Sequence, residues 1–157
     1  MTRQLIQAAP VRKRIRVKTC QARAFEVFVT RFDSWWPRTH HIGNAEMKEA
    51  VIEPQPGGRW YEKGKDGSQC EWGRVLVWEP PSRLVLSWTI NSAFQPDKTV
   101  QSEVEVRFTP ESGHETLVEL EHRICAADSE AIHAAVDSPR GWGALLDMYS
   151  AAAARTV

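Results

Sequence analysis

The chain has 157 residues, enough to enclose one real core and most simply read as one domain. Its twenty acidic and twenty basic residues balance, which removes the cationic excess that drives phosphate contact and excludes a nucleic-acid partner. No apolar N-terminal stretch and no run of about 20 apolar residues occurs, so membrane insertion is not expected. Cys20, Cys70 and Cys125 are far apart, odd in number and without CxxC or Cys/His spacing. No metal site and no cofactor is expected, and a reduced cytoplasmic setting is the default.

Val11, Ile15 and Val17 alternate with Arg12, Arg14, Arg16 and Lys18, which reads as a strand over Val11 to Thr19, with Lys13 sharing the apolar face. Thr19 is placed to cap a helix from about Ala22 to Phe32, carrying Ala24, Phe25, Phe28, Val29 and Phe32. The helical stretch must end by Trp36, because Pro37 disfavours helical geometry at the preceding residue. Arg38 to Asn44 is a loop. From Glu46 the period becomes two, with Met47, Glu49, Val51 and Glu53 opposing Lys48, Ala50 and Ile52. Pro54 to Gly58 is a turn, Arg59 to Lys63 a strand, and Asp66-Gly67 a hairpin. Gln69 to Glu79 is a long strand in which Gly73 marks a bulge or bend, so which face points inward stays open. After Pro80-Pro81-Ser82, the strand Arg83 to Ile90 puts Leu84, Leu86 and Trp88 on one face. Thr99 to Phe108 is the clearest half-buried strand, with Val100, Val104, Val106 and Phe108 inward and Ser102 interrupting the row. Glu103, Glu105 and Arg107 form its solvated face. Glu115 to Arg123 returns with Val118, Leu120 and His122 sharing a face. Asp128 or Ser129 caps a short helix through Ala135. Ser138-Pro139 reads as N-cap and first residue of a final helix, on which Trp142, Leu145, Leu146, Tyr149, Ala152 and Ala153 form one stripe.

The predicted fold is α+β: a curved antiparallel sheet of about six to seven strands, two short helices after the first strand, and a long C-terminal helix across the concave face. One domain spans residues 11–154, preceded by an extension over residues 1–10. Where the helix stands off the sheet, room is left for a ligand.

Several segments carry a resemblance in order along the chain. They are Ala24-Phe25-Glu26-Val27-Phe28, Trp35-Trp36-Pro37, Pro56-Gly57-Gly58, Gly73-Arg74-Val75, the run Pro81-Ser82-Arg83-Leu84 leading to Trp88, and Gly141-Trp142. Together they resemble the START-like, helix-grip superfamily (SRPBCC proteins), and most closely bacterial proteins related to the activator of the heat-shock-protein-90 ATPase. The resemblance implies an apolar pocket between sheet and C-terminal helix. Its members bind lipids, sterols, polyketides or other hydrophobic small molecules, and some are cyclases, aromatases or hydrolases. The eukaryotic chaperone activator carries a further N-terminal domain that is not expected here, so chaperone activation does not carry over.

The seven tryptophans suit a small-molecule wall, being large, apolar and tipped with an N–H donor. The expected ligand-binding residues are Trp60, Trp72, Leu86, Trp88, Val106, Phe108, Leu120, His122, Trp142, Leu145, Leu146 and Tyr149. Trp36, His40 and His41 are expected at the rim. Three readings stay open. The first is binding of a hydrophobic small molecule. The second is an enzyme, a cyclase or hydrolase, for which His122 with Tyr149 or Glu71 would supply acid and base. The third is a protein-interaction module, favoured if Trp35-Trp36 lie exposed on a flat surface. The first is preferred, and a monomer or a homodimer is compatible with all three.

Overall fold

The structure, a computed structural model, describes residues 6–155. Residues 1–5 of the expected extension lie outside the described residues. In chain order the elements are β1 (Ile6–Gln7), β2 (Val11–Val17), α1 (Gln21–Val29), α2 (Phe32–Trp35), β3 (Met47–Ile52), β4 (Arg59–Gly64), β5 (Gln69–Glu79), β6 (Arg83–Ser87), β7 (Gln101–Ser112), β8 (Glu115–Ala126), α3 (Ser129–Val136) and α4 (Trp142–Ala154). All sheet pairings are antiparallel. The order is β1-β8-β7-β6-β5-β4-β3, with β2 beside β8 as well. β1 was not foreseen. It continues the edge that β2 occupies, and the break between them contains Pro10, which has no N–H to give to a ladder.

The concave face is packed by rings. Phe25 meets Trp78 and Phe108; Phe28 meets Trp35 and Tyr149; Phe32 meets Trp36, Trp60 and Trp72, all with centroids between 4.9 and 6.3 Å. α4 lies against β2, α1 and α2, and its buried residues are the expected stripe Trp142, Leu145, Leu146, Tyr149, Ala152 and Ala153.

Two bulges settle the orientation of β5. Trp60 pairs with Gly73 but Tyr61 with Glu71, so Trp72 is the extra residue. A second shift falls between Val75 and Val77. Each shift resets the alternation, so that Trp72, Val75 and Trp78 pack on the core while Glu71, Arg74 and Leu76 face out. A third irregularity between Met47 and Glu49 likewise gives β3 a buried set of Met47, Ala50 and Ile52, rather than strict alternation from Met47.

Local chemistry corrects four boundaries. Thr19 does not cap α1: Cys20 takes that position without a side-chain bond, and the Thr19 carbonyl accepts from Thr116 Oγ1 at 2.9 Å. The helix ends at Val29, where the Arg31 N–H reaches back to Glu26 O and a second short helix follows. β6 stops at Ser87, because the following N–H groups diverge, Trp88 to Ser102 O and Thr89 to Trp72 O. Ser138-Pro139 does not start α4. Residues 138–141 form a turn closed by Gly141 N–H to Ser138 O at 2.8 Å, and Gly141 is the N-cap.

On the convex face Glu105 accepts from Arg83 Nε at 2.7 Å and Arg123 Nη1 at 2.9 Å, with Arg107 at 2.8 Å. Burial pushes this carboxyl up, but Arg83 and Arg123 outweigh it and hold it down at about 2. The N-terminal basic cluster is partly neutralised in the same way, Arg12 by Glu121, Lys13 by Asp137 and Arg16 by Glu111. No described helix is long and apolar enough to cross a membrane.

Gly73 sits where β5 meets the end of β6, and a Cβ there would stand 1.8 Å from Ser87 O, a backbone atom that cannot step aside. Gly73→Ala is expected to destabilise the fold by at least about 2 kcal/mol in urea unfolding. Gly113→Ala, with nothing within 4 Å of its new methyl, is expected to stay within about 0.5 kcal/mol of the parent.

Candidate functional site

An apolar cleft of about 400 Å³ opens at the N-terminal end of α4. Its walls come from three loops and two helices: Trp36 to Ile42 after α2, Trp88 and Phe94 after β6, Ala135 and Val136 of α3, and Ser138 to Leu145 across the turn into α4. Trp36, Trp88 and Trp142 bring tryptophan rings from separate parts of the chain to one place. Gly141 allows α3 and α4 to meet closely, since a Cβ there would lie 2.0 Å from Val136 O.

Each wall is tied down by polar groups. Glu62, 1% exposed, is the anchor the sequence analysis missed. One of its oxygens accepts from the backbone N–H of Ile42, from that of Gly43 at 2.8 Å, and from Trp72 Nε1 at 3.1 Å. Its signal was readable: it shares the strand face of Trp60, a carboxylate in an inward row. Across the cleft, Asp128 Oδ2 accepts from Ser92 N at 3.1 Å and from Ser92 Oγ at 2.6 Å, linking the loop after β6 to α3. Asp128 is at the N-cap position, but its side chain makes no capping bond.

His40 and His41 both reach the rim, in different roles. His40 Nε2 lies 2.8 Å from Arg140 O. A carbonyl only accepts, so Nε2 carries the hydrogen and ties the rim loop to the α3–α4 turn. His41 Nδ1 lies 2.8 Å from Gly43 O, so Nδ1 donates and Nε2 is the ring nitrogen not used in that bond.

His122 is fully buried beneath this cleft. Trp142 Nε1 donates to its Nδ1 at 3.0 Å, which fixes the proton on Nε2, and Nε2 donates to Ser102 Oγ at 2.6 Å. Ser102, which interrupts the apolar row of β7, is thus the partner of that imidazole. Burial, with lesser effects of His133 and Arg123, pushes His122 down to about 3. It is a neutral brace between β7, β8 and α4, not a proton carrier at neutral pH. Tyr149 donates to Ala24 O at 2.6 Å, and burial raises its hydroxyl far above the usual phenol range. Glu71 is exposed and pairs with Arg74 at 2.9 Å. No two of these three catalytic candidates are brought together.

Of the expected ligand-binding residues, Trp88, Trp142 and Leu145 line the cleft, as do the rim residues Trp36, His40 and His41. Trp60, Trp72, Leu86, Val106, Phe108, Leu120, His122, Leu146 and Tyr149 are 0–2% exposed. Water-sized space hardly touches them, and the structure places them as packed core. Trp35 and Trp36 are 4% and 5% exposed, so they present no flat aromatic surface to a protein partner. Phe94, Thr39, Ile42, Arg140 and the α3 residues are cleft components that strand alternation could not reveal, because they lie on loops and a short helix.

A curved antiparallel sheet gripping a C-terminal helix, with an aromatic cleft at the helix's end, defines a START-like helix-grip protein. The family model described as Activator of Hsp90 ATPase homolog 1-like protein matches residues 19–153, and the chain belongs to that family. Among solved structures, the chain is 35% identical to an anthrahydroquino-gamma-pyrone synthase, Txn09, complexed with SUM, over 92% of this chain and 97% of that one, with TM-score 0.62. It is 26% identical to CalC, a self-sacrificing resistance protein of Micromonospora echinospora, covering 92% and 93% of the two chains with TM-score 0.66. CalU16 of the same organism shares the fold at 23% identity, covering 99% and 86%, with TM-score 0.64. No curated protein matches the chain.

The neutral His122 brace makes stability depend on pH. The unfolded chain carries an ordinary imidazole and takes up the proton first, so unfolding absorbs a proton. The contribution is complete above pH about 6.5 and is lost as pH falls toward about 3. Unfolding free energy is expected to fall measurably between pH 6.5 and 5, above the range where carboxylates protonate. His122→Gln, although less stable at pH 7, is expected to flatten that slope. A slope unchanged by the substitution would show that His122 is not the group responsible.

Proposed function

We propose that this protein binds a hydrophobic small molecule, specifically a planar aromatic of polyketide type, in the cleft at the head of α4. The observation that carries the reading is the convergence of Trp36, Trp88, Trp142 and Leu145 on one cavity of about 400 Å³, within the size range of small-molecule sites. Apolar contact supplies most of the affinity, about 25 cal/mol per Å² buried. The polar groups are confined to the rim, where Thr39, His41 and Ser138 can orient oxygen substituents. The 35%-identical relative is named as a synthase of an anthrahydroquinone-pyrone, which supports this ligand class for this chain.

Catalysis at the same cleft is the second reading, favoured by that relative's name and by His41. Its Nδ1–H is held by Gly43 O, leaving Nε2 as the one imidazole nitrogen of the rim pair that neither backbone nor neighbour claims among the described contacts. It is the base to test for proton abstraction, in place of His122.

Titration with hydroxylated anthraquinones is expected to quench tryptophan fluorescence with affinity on the order of micromolar. Ala135→Trp fills the cleft from α3 without touching the ring core, and is expected to weaken binding at least about tenfold. Absence of any response in the parent across aromatic, polyketide and lipid probes would overturn the reading.

A further inference from the structure

Phe94 is not explained by folding. It is an exposed aromatic, half accessible, and its backbone φ of +58° lies in the left-handed region that bulky side chains avoid. It is the one non-glycine residue with positive φ among the described residues. A solvent-exposed loop position under no other demand would be better filled by Gly or Asn.

The surrounding loop enforces this conformation. Phe94 N–H donates to Asn91 O at 3.0 Å, and Asn91 N–H to Gln95 O at 2.9 Å. Asn91 Oδ1 accepts from Ala93 N at 2.9 Å and Gln95 N at 3.1 Å. Ile90 bridges Pro96 beneath, and Asp128 grips Ser92 from α3. A tightly braced loop therefore holds a strained residue, and that residue lines the same cleft as Trp36, Trp88 and Trp142. Backbone strain that the surroundings hold in place clusters at active sites and ligand clamps.

We propose that Phe94 is a specificity-determining stacking residue, which closes on one face of a planar aromatic ligand whose other side lies on the Trp36, Trp88 and Trp142 wall. The inference rests on the cleft reading above and adds the residue that selects flat, π-bearing ligands over aliphatic ones. Offset-stacked or edge-to-face contact between rings contributes beyond area alone, so a leucine of similar bulk does not replace it.

The test uses 1,8-dihydroxyanthraquinone as aromatic probe and dodecanoate as aliphatic probe, with binding and thermal unfolding measured on the full chain. Phe94→Leu and Phe94→Asn are expected to weaken the anthraquinone at least about tenfold, with any dodecanoate binding changed less than about twofold, and Phe94→Tyr is expected to restore it. Phe94→Asn relieves the backbone, so its Tm is expected to equal or exceed the parent's; a residue kept for packing would show a fall. Anthraquinone affinity unchanged in Phe94→Leu, or both probes weakened equally, overturns the stacking role while leaving the cleft reading intact. A parent that binds dodecanoate but no anthraquinone overturns the stacking role and the planar-aromatic class of the proposed ligand, leaving only hydrophobic binding in the cleft. A parent that binds neither overturns the stacking role and the cleft reading together.

Discussion

The architecture depends on one packing constraint: a continuous body of aromatic rings fills the concave face of the sheet. From Trp78 and Phe25 at one end to Trp88, His122 and Trp142 at the other, each ring touches the next. Such rings are rigid and must be placed by the backbone. The bulges of β5 do this, spacing Trp72, Val75 and Trp78 three residues apart on one face, which an unbroken strand cannot do. Because the rings leave no accessible space around Trp60, Trp72 and Tyr149, the cavity is displaced from beneath the helix to its end.

Polar groups enter the interior where they fix that end. His122 joins Trp142 at the start of α4 to Ser102 on β7, Glu62 holds the loop at Ile42 and Gly43, and Asp128 holds the loop at Ser92. Unmet buried polar groups are costly, so each of these residues stabilises only the geometry that satisfies it. The effect is specificity of loop placement rather than gain in core stability. Trp60 Nε1 has no hydrogen-bond partner among the described residues, a cost borne by the tightness of the ring packing around it.

Much of this was legible in the sequence, for reasons that also explain the failures. Alternation is reliable while the ladder is regular, and β7 and β8 are regular through their middles: Val104, Val106, Phe108, Val118, Leu120 and His122 all point inward as the pattern implies. The stripe on α4 was equally clear, because the helix runs unbroken over Trp142–Ala154 and its period is never reset. Gly73 signalled an irregularity in β5 but not its direction, since the extra residue is Trp72, its neighbour. Cap assignment failed at Thr19 and Ser138 because a capping residue type has other uses: Thr19 engages Thr116 through its carbonyl, and Ser138 closes a turn. The cleft itself was half visible. Trp88, Trp142 and Leu145 belong to periodic segments, whereas Phe94 and Arg140 belong to loops, where sequence carries no period to read.

Placing the cavity at the end of the helix separates what holds the fold from what lines the cleft. The ring core, the β5 bulges and the convex lattice around Glu105 lie on strands and helices, and a change there disturbs the whole sheet. Phe94, His41, Thr39 and Arg140 lie on connections braced from behind, and a change there alters the cleft while the core remains. The family motifs fall mainly on the first group: Gly73 for the close approach to Ser87, Arg83 for Glu105, Gly141 for the contact of α3 with α4. Matching those motifs therefore reports a shared scaffold. The proposed ligand contacts of this chain, in contrast, lie mostly on the loops around the head of α4, which those motifs do not describe.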